Sequence, residues 1–162
     1  IGFVGTLIKR KNVAGGLRAF KKFTELEGTE GYRFVICGTG PLEEDLKKTA
    51  EDLGISERVE FVSGLTDDEL VDFYNRMEVF ANSSMHEGLG LTALEAMACG
   101  TPVVCFADAA IPDKSKFVNA ADEEDFALKM RDAIGSEVTA DIMPEGYGDR
   151  LIEIYEAVLK NG

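Results

Sequence analysis

Residues 32–62, YRFVICGTGPLEEDLKKTAEDLGISERVEFV, decide the fold class. Tyr32–Cys37 is a short run of strand-forming residues, and Gly38-Thr39-Gly40-Pro41 breaks it. Pro41 suits the first turn of a helix, where its missing N–H costs nothing. Leu42, Leu46, Ala50 and Leu53 then recur at helical spacing as far as Gly54, a natural stop. Arg58–Val62 returns to a strand. A helix of ten or more residues between two strands makes a crossover connection, so the strands run parallel.

The same alternation continues outward in both directions. Ile1–Gly5 reads as a first strand, and Val13, Leu17 and Phe20 mark a helix ending near Glu27-Gly28. Thr66-Asp67-Asp68-Glu69 has capping-box form and opens a helix with Leu70, Phe73 and Met77 inward. Glu78–Ala81 is a short strand, Asn82–Gly90 a loop, Leu91–Cys99 a helix stopping at Gly100, and Pro102–Phe106 a fifth strand. Phe126, Met130 and Ile134 mark a late helix, and Leu151, Ile154, Tyr155, Val158 and Leu159 a last one. The expectation is an α/β fold: one domain over residues 1–162, a doubly wound parallel sheet (Rossmann-like) with helices on both faces. Ligands of such sheets bind outside the carboxyl ends of the strands. That singles out loops 6–12, 38–41, 63–66, 82–90 and 107–116.

A chain of 162 residues can bury a real core. Its 17 Lys and Arg stand against 30 Asp and Glu, a net charge of −13, which on average repels the phosphates of nucleic acid and anionic membrane and argues against nucleic acid as a partner. No run is apolar and long enough for a membrane span. IGFVGTLIKRKN places its apolar run before its basic cluster, the reverse of a signal peptide. Ile1 also opens inside a strand-like run without an initiator Met, as expected of a piece of a longer chain. Cys37, Cys99 and Cys105 make no C-x-x-C pair and read as thiols of a reducing compartment.

Charge is unevenly spread. The first 24 residues carry six basic side chains and no acid. Arg18, Lys21 and Lys22 read as the solvated face of a helix. Lys9, Arg10 and Lys11 crowd one loop directly after a strand, and a local cationic spot on an acidic domain suits a small anion such as a phosphate.

Gly38-Thr39-Gly40-Pro41-Leu42-Glu43 begins like a dinucleotide fingerprint but has Glu where the third glycine belongs. This argues against NAD and for a tight turn that needs its glycines. Residues 83–104, SSMHEGLGLTALEAMACGTPVV, are more informative. Glu87 precedes two glycines, and the N–H groups after it open a helix, a ready anion site. Glu95 lies about one turn inside that helix. On spacing alone it is either a solvated helix acid or a carboxylate that accepts from two vicinal hydroxyls. His86, the one histidine, has no orienting partner in the sequence and reads as cleft lining.

This segment resembles the Glu-x7-Glu signature of the retaining, group 1 (family 4) glycosyltransferases, E-G-x-G-L-x-x-L-E-A-M-A-x-G-x-P-V-V. Val4-Gly5 with Lys11, Cys37-Gly38-Thr39-Gly40-Pro41 and Val59-Glu60-Phe61-Val62-Ser63-Gly64 follow the family's order. The resemblance covers essentially the whole chain and corresponds to the C-terminal, donor-binding domain, one half of a GT-B enzyme. It implies a hexosyltransferase of polysaccharide or glycoconjugate biosynthesis. The donor would be a UDP- or GDP-linked sugar, and the acceptor a glycan, lipid or small molecule. An N-terminal acceptor domain of the same enzyme is implied as partner, without which this domain transfers nothing. The implied location is cytoplasmic, at a membrane's inner face where the other domain takes it there, and neither cofactor nor metal is implied.

By position, the resemblance makes Lys11 the lysine that neutralises the donor diphosphate. Glu87 becomes the glutamate beside the donor sugar, and Glu95 the one that holds the ribose hydroxyls. Lys11 and Glu87 are the implied catalytic pair. Gly88, Leu89, Gly90 and Leu91 match the turn and helix start beside sugar and phosphates; Leu65 and Thr66 match backbone that contacts the base. Gly5, Thr6 and Arg10 complete the donor side. Two positions depart from the pattern. Thr6 stands where the family has Arg, and residues 107–116, ADAAIPDKSK, form a short loop without glycine, with Asp113 in place of Glu. Two rival readings follow: an NDP-sugar epimerase of GT-B architecture, and a non-catalytic nucleotide-sugar-binding module.

Overall fold

A computed structural model describes residues 1–86, 90–106, 117–136 and 138. Its strands are β1 (Gly2–Val4), β2 (Phe34–Cys37), β3 (Val59–Val62), β4 (Phe80–Asn82), β5 (Val103–Phe106) and β6 (Val118–Ala120). The helices are α1 (Val13–Phe23), α2 (Glu43–Asp52), α3 (Asp67–Asn75), α4 (Leu91–Ala98) and α5 (Glu123–Ala133). The sheet order is β3-β2-β1-β4-β5-β6, and every neighbouring pair is parallel. The chain starts centrally, winds out to β3, returns to pair β4 beside β1, and winds out the other way. This is the doubly wound sheet expected, with its switch point between β1 and β4.

Side-chain alternation along each strand divides the core in two. Phe34, Ile36, Ala81, Val104 and Phe106 meet α1, α2 and α5 on one face. Phe80, Val103 and Cys105 meet Tyr74 of α3 and Ala93, Ala96 and Met97 of α4 on the other. All three cysteines are thiols: Cys37 and Cys105 are buried, Cys99 half-buried.

Several boundaries move from where the sequence puts them, each for a visible reason. The helix expected to reach Glu27-Gly28 ends at Phe23, because buried Thr29 turns the chain back by donating its hydroxyl to the carbonyls of Phe23 and Leu26. The helix expected from Pro41 starts at Glu43, since the Leu42 N–H donates instead to Leu7 O. The fourth strand slides from Glu78–Ala81 to Phe80–Asn82, taking Asn82 out of the loop and burying it. The sixth strand, Val118–Ala120, is not visible in the sequence; three residues carry no periodicity, and pairing with β5 makes it a strand. The capping box at Thr66 forms as expected, with the Glu69 N–H donating to Thr66 Oγ1 and the Glu69 carboxylate accepting from the Thr66 N–H. Arg18 and Lys22 lie on a solvated face, as expected, and there they also pair with Glu123 at 2.6 Å and Glu124 at 2.8 Å across α1 and α5. The last helix, marked by residues 151–159, and the 107–116 loop lie outside the described residues.

Candidate functional site at the carboxyl edge of the sheet

Three loops meet at the carboxyl ends of β1, β2 and β3. The Gly5 N–H donates to Cys37 O and the Gly38 N–H to Val62 O, both at 2.9 Å. Leu7 N–H donates to Thr39 O, also at 2.9 Å, so the turn after β2 lies flat on the loop after β1. A Cβ on Gly38 would overlap the Gly5 carbonyl, and one on Gly40 would overlap the backbone of Leu7. The Gly-x-Gly is therefore a backbone-approach device, in keeping with the tight turn its sequence implies. Between these loops opens a cavity of about 290 Å³, lined among others by Gly5, Thr6, Gly38, Ser63 and Leu65. A larger space of about 660 Å³ follows β3 and α3 from Ile1 to Leu65 and holds no other expected site residue.

Lys11 reaches the same edge. It ends a 3-10 turn, Lys9–Lys11, and an ideal Cβ on Gly5 would lie 3.6 Å from Lys11 Cε, so the lysine stem runs back over the end of β1. The loop is pinned to the chain leaving β4. Ser83 Oγ donates to Lys11 O at 2.9 Å, Met85 N–H donates to Arg10 O at 3.1 Å, and Asn12 Nδ2 donates to Met85 Sδ at 3.5 Å. Asn12 adopts a left-handed conformation (φ 47°) to turn from this loop into α1. The basic loop and the segment leading to Glu87 are thus one unit. Glu87, Gly88 and Leu89 themselves lie outside the described residues.

Gly90 leads into α4, whose first residue, Leu91, is exposed and whose start has no side-chain cap. Glu95 is exposed on α4, and its Oε2 accepts a 2.7 Å hydrogen bond from the Tyr74 hydroxyl. Tyr74 is buried on α3; burial first, and then the Glu95 carboxylate, push its ionisation far above the usual phenol range, so it remains a donor. Burial likewise pushes the Cys37 thiol up, leaving it a poor nucleophile.

The expected residues divide plainly. Gly5, Thr6 and Leu65 line the smaller cavity and Lys11 overlies Gly5. Arg10 is exposed beside them, with its backbone holding Met85. Thr66 does not line the cavity; its N–H and hydroxyl are taken by Glu69 in the cap, which leaves Leu65 as the one of the pair at the pocket. His86 is exposed at the end of the 83–86 segment. Tyr74 is the residue that sequence reasoning missed. A signal for its burial is present, since Leu70, Phe73, Tyr74 and Met77 stand at i, i+3, i+4 and i+7.

Comparison with known proteins now decides the family. The sequence model described as "Glycosyl transferases group 1" matches residues 1–141. The chain belongs to that family. It is 36% identical over 160 residues to the D-inositol 3-phosphate glycosyltransferase of Corynebacterium jeikeium (strain K411), covering 92% of this chain and 37% of that protein. The chain thus spans little more than a third of that relative's length. In fold it resembles the C-terminal domain of a glycosyl transferase group 1 family protein (LpcC) from Francisella tularensis, with TM-score 0.68 at 22% identity over 91% of this chain and 82% of that one. The pneumococcal O-GlcNAc transferase GtfA, solved with UDP and GlcNAc, gives TM-score 0.63 at 19% identity over 82% of this chain and 28% of that one. At such identities both likenesses speak to the fold alone.

Proposed function

We propose that this chain is the donor-binding domain of a retaining glycosyltransferase that takes a nucleoside-diphosphate sugar. The observation that carries the reading is the meeting of Gly5-Thr6, Gly38-Thr39 and Leu65 around one cavity at the carboxyl edge, with the Lys11 side chain passing over Gly5. The nucleoside occupies that cavity, with its base against the Leu65 backbone and its ribose against Glu95. The diphosphate lies between Lys11 and the uncapped start of α4, where a cation and oriented N–H groups both favour negative charge. The family match supports sugar transfer over the epimerase reading.

Transfer loosens the bond from the anomeric carbon to the diphosphate, so positive charge develops on the sugar and negative charge on the leaving group. Lys11 and the α4 start stabilise the leaving diphosphate, and at a site of this kind that stabilisation lowers the barrier more than any other contact. Glu87 orients the sugar hydroxyls and favours the positive centre without becoming a covalent nucleophile. Lys11 supplies the positive charge at the diphosphate, so the reading requires no metal. Arg10 lies near enough in sequence to assist where Thr6 replaces arginine. The acceptor is held by an N-terminal domain of the same enzyme. Without it the positioning advantage, worth about 7–11 kcal/mol, is lost and the chain alone binds donor without transferring sugar. The thiols fit a reducing, cytoplasmic compartment; among the described residues no helix is long and apolar enough to cross a membrane.

Lys11→Met tests the arrangement. It is expected to weaken UDP or GDP by about 1.5–3 kcal/mol, the size of a charged hydrogen bond, and to leave uridine or guanosine unchanged. Equal losses for nucleotide and nucleoside in calorimetry would remove Lys11 from the diphosphate.

A further inference from the structure

Glu95 sits exposed on α4, where a glutamate ordinarily samples several rotamers and must be ordered by whatever it binds. Here it is already ordered from beneath. The Tyr74 hydroxyl, on a side chain only 2% exposed, donates to Oε2 at 2.7 Å. Tyr74 is itself fixed. Thr101 Oγ1 donates to its carbonyl at 2.9 Å, and its ring packs on Phe80 of β4 with centroids 6.0 Å apart. A phenol anchored in this way, and kept protonated by its surroundings, has one donor to give. It gives it to this carboxylate. One donor occupies one of roughly four acceptor positions on the carboxylate, so both oxygens retain capacity for further donors.

We infer that Tyr74 is a positioning residue for ligand recognition: its hydroxyl holds the Glu95 carboxylate in the orientation that accepts the vicinal ribose hydroxyls of a nucleotide. The inference rests on the reading of Glu95 given under the proposed function and adds what makes that carboxylate selective. The ordering entropy of a long acidic side chain is met on folding, not on binding, so the diol meets a preset acceptor. Tyr74 never touches the ligand. It acts through Glu95 alone, and its removal should affect ligands that carry the diol and spare those that lack it.

The test uses the intact protein with UDP and GDP, each beside its 2′,3′-dideoxy analogue, by calorimetry. The parent should prefer the ribonucleotide by about tenfold or more, as a charged hydrogen bond warrants, and Glu95→Ala should abolish the preference. Tyr74→Phe keeps the buried ring. It should cut ribonucleotide affinity about three- to tenfold, the cost of ordering one side chain, with the dideoxy analogue unchanged within about twofold. Tyr74→Phe combined with Glu95→Ala should bind no more weakly than Glu95→Ala alone. Equal weakening of both ligands by Tyr74→Phe marks a structural role and overturns the inference, as does an unchanged preference. A parent without any preference, or a Glu95→Ala variant that keeps it, overturns the Glu95 reading and this inference with it, and is seen before Tyr74 is altered. Should Tyr74→Phe fail to fold, NMR of the unaltered protein decides. A slowly exchanging Tyr74 hydroxyl proton, coupled to the Glu95 carboxylate carbon with and without nucleotide, supports the inference; loss of that signal on nucleotide binding overturns it.

Discussion

On one face of the sheet, Phe20 stacks on Phe23 at 5.6 Å, tilts against Phe34 at 5.4 Å, and Phe106 meets Phe126 at 4.6 Å. On the other face Tyr74 and Phe80 pack with Ala93, Ala96 and Cys105, and polar groups enter the packing. Tyr74 presents its hydroxyl to Glu95, and Asn82, Cys105 and Asn119 stand in register across β4, β5 and β6. Asn82 is 1% exposed, and its Nδ2 has no partner among the described residues. Buried polar groups are costly unless paired, so a fold confines them to where something needs orienting. The aromatic face supplies cohesion, and the α3–α4 face uses a buried hydroxyl to hold an exposed carboxylate. The two therefore fail differently when cut.

The largest effect belongs to the aromatic face. Phe20→Ala removes a ring that is fully buried between α1 and the sheet and is expected to cost about 3–5 kcal/mol in denaturant unfolding. Without denaturant, under conditions where the variant is still folded, its preference for ribonucleotide over the dideoxy analogue should match the parent's. A changed preference would mean that the cohesive face also shapes the site, and the division between faces would fall.

Gly38→Ala strikes where both faces end. The added methyl would overlap the Gly5 carbonyl at a φ of 151°, so the turn must lift off the first loop. Strain of this kind costs about 1–3 kcal/mol. Because the same turn walls the cavity, nucleotide affinity should fall along with thermal stability. Stability lost with affinity intact would place the nucleotide elsewhere.

What the sequence makes legible follows from range. Periodicity and caps are local, so the first five strands, the described helices and the Thr66 cap can be read from neighbours in the chain. The Lys11 loop is legible because a basic cluster directly after a strand is a local pattern too. The contacts that order the candidate site residues are long-range. Tyr74 and Glu95 lie 21 positions apart, and Ser83 lies 72 from Lys11. Leu70, Phe73, Tyr74 and Met77 announce a buried helix face, yet nothing in that spacing says that one member carries a hydroxyl to a glutamate on the next helix. Arg18 and Lys22 are solvated, as the sequence reads them, but it does not show their partners, which lie 105 and 102 residues away. Thr66, expected at the base, spends its polar groups closing a helix start.

The smallest effect separates charge from packing on the cohesive face. Arg18 and Glu123 pair at 2.6 Å, but their side chains are 46% and 31% exposed, so water and salt screen the attraction. Beneath them Leu17, Phe20, Phe126 and Met130 are buried and join α1 to α5 by apolar contact. A double-mutant cycle of Arg18→Met and Glu123→Gln is therefore expected to give a coupling below about 1 kcal/mol at low salt, shrinking further at high salt. The apolar contacts then hold the two helices together, and the ion pair adds little to them. A coupling above about 2 kcal/mol that persisted in high salt would instead show charge acting as cohesion there. The contrast between an apolar face that stabilises and a polar face that positions would have to be redrawn around that pair.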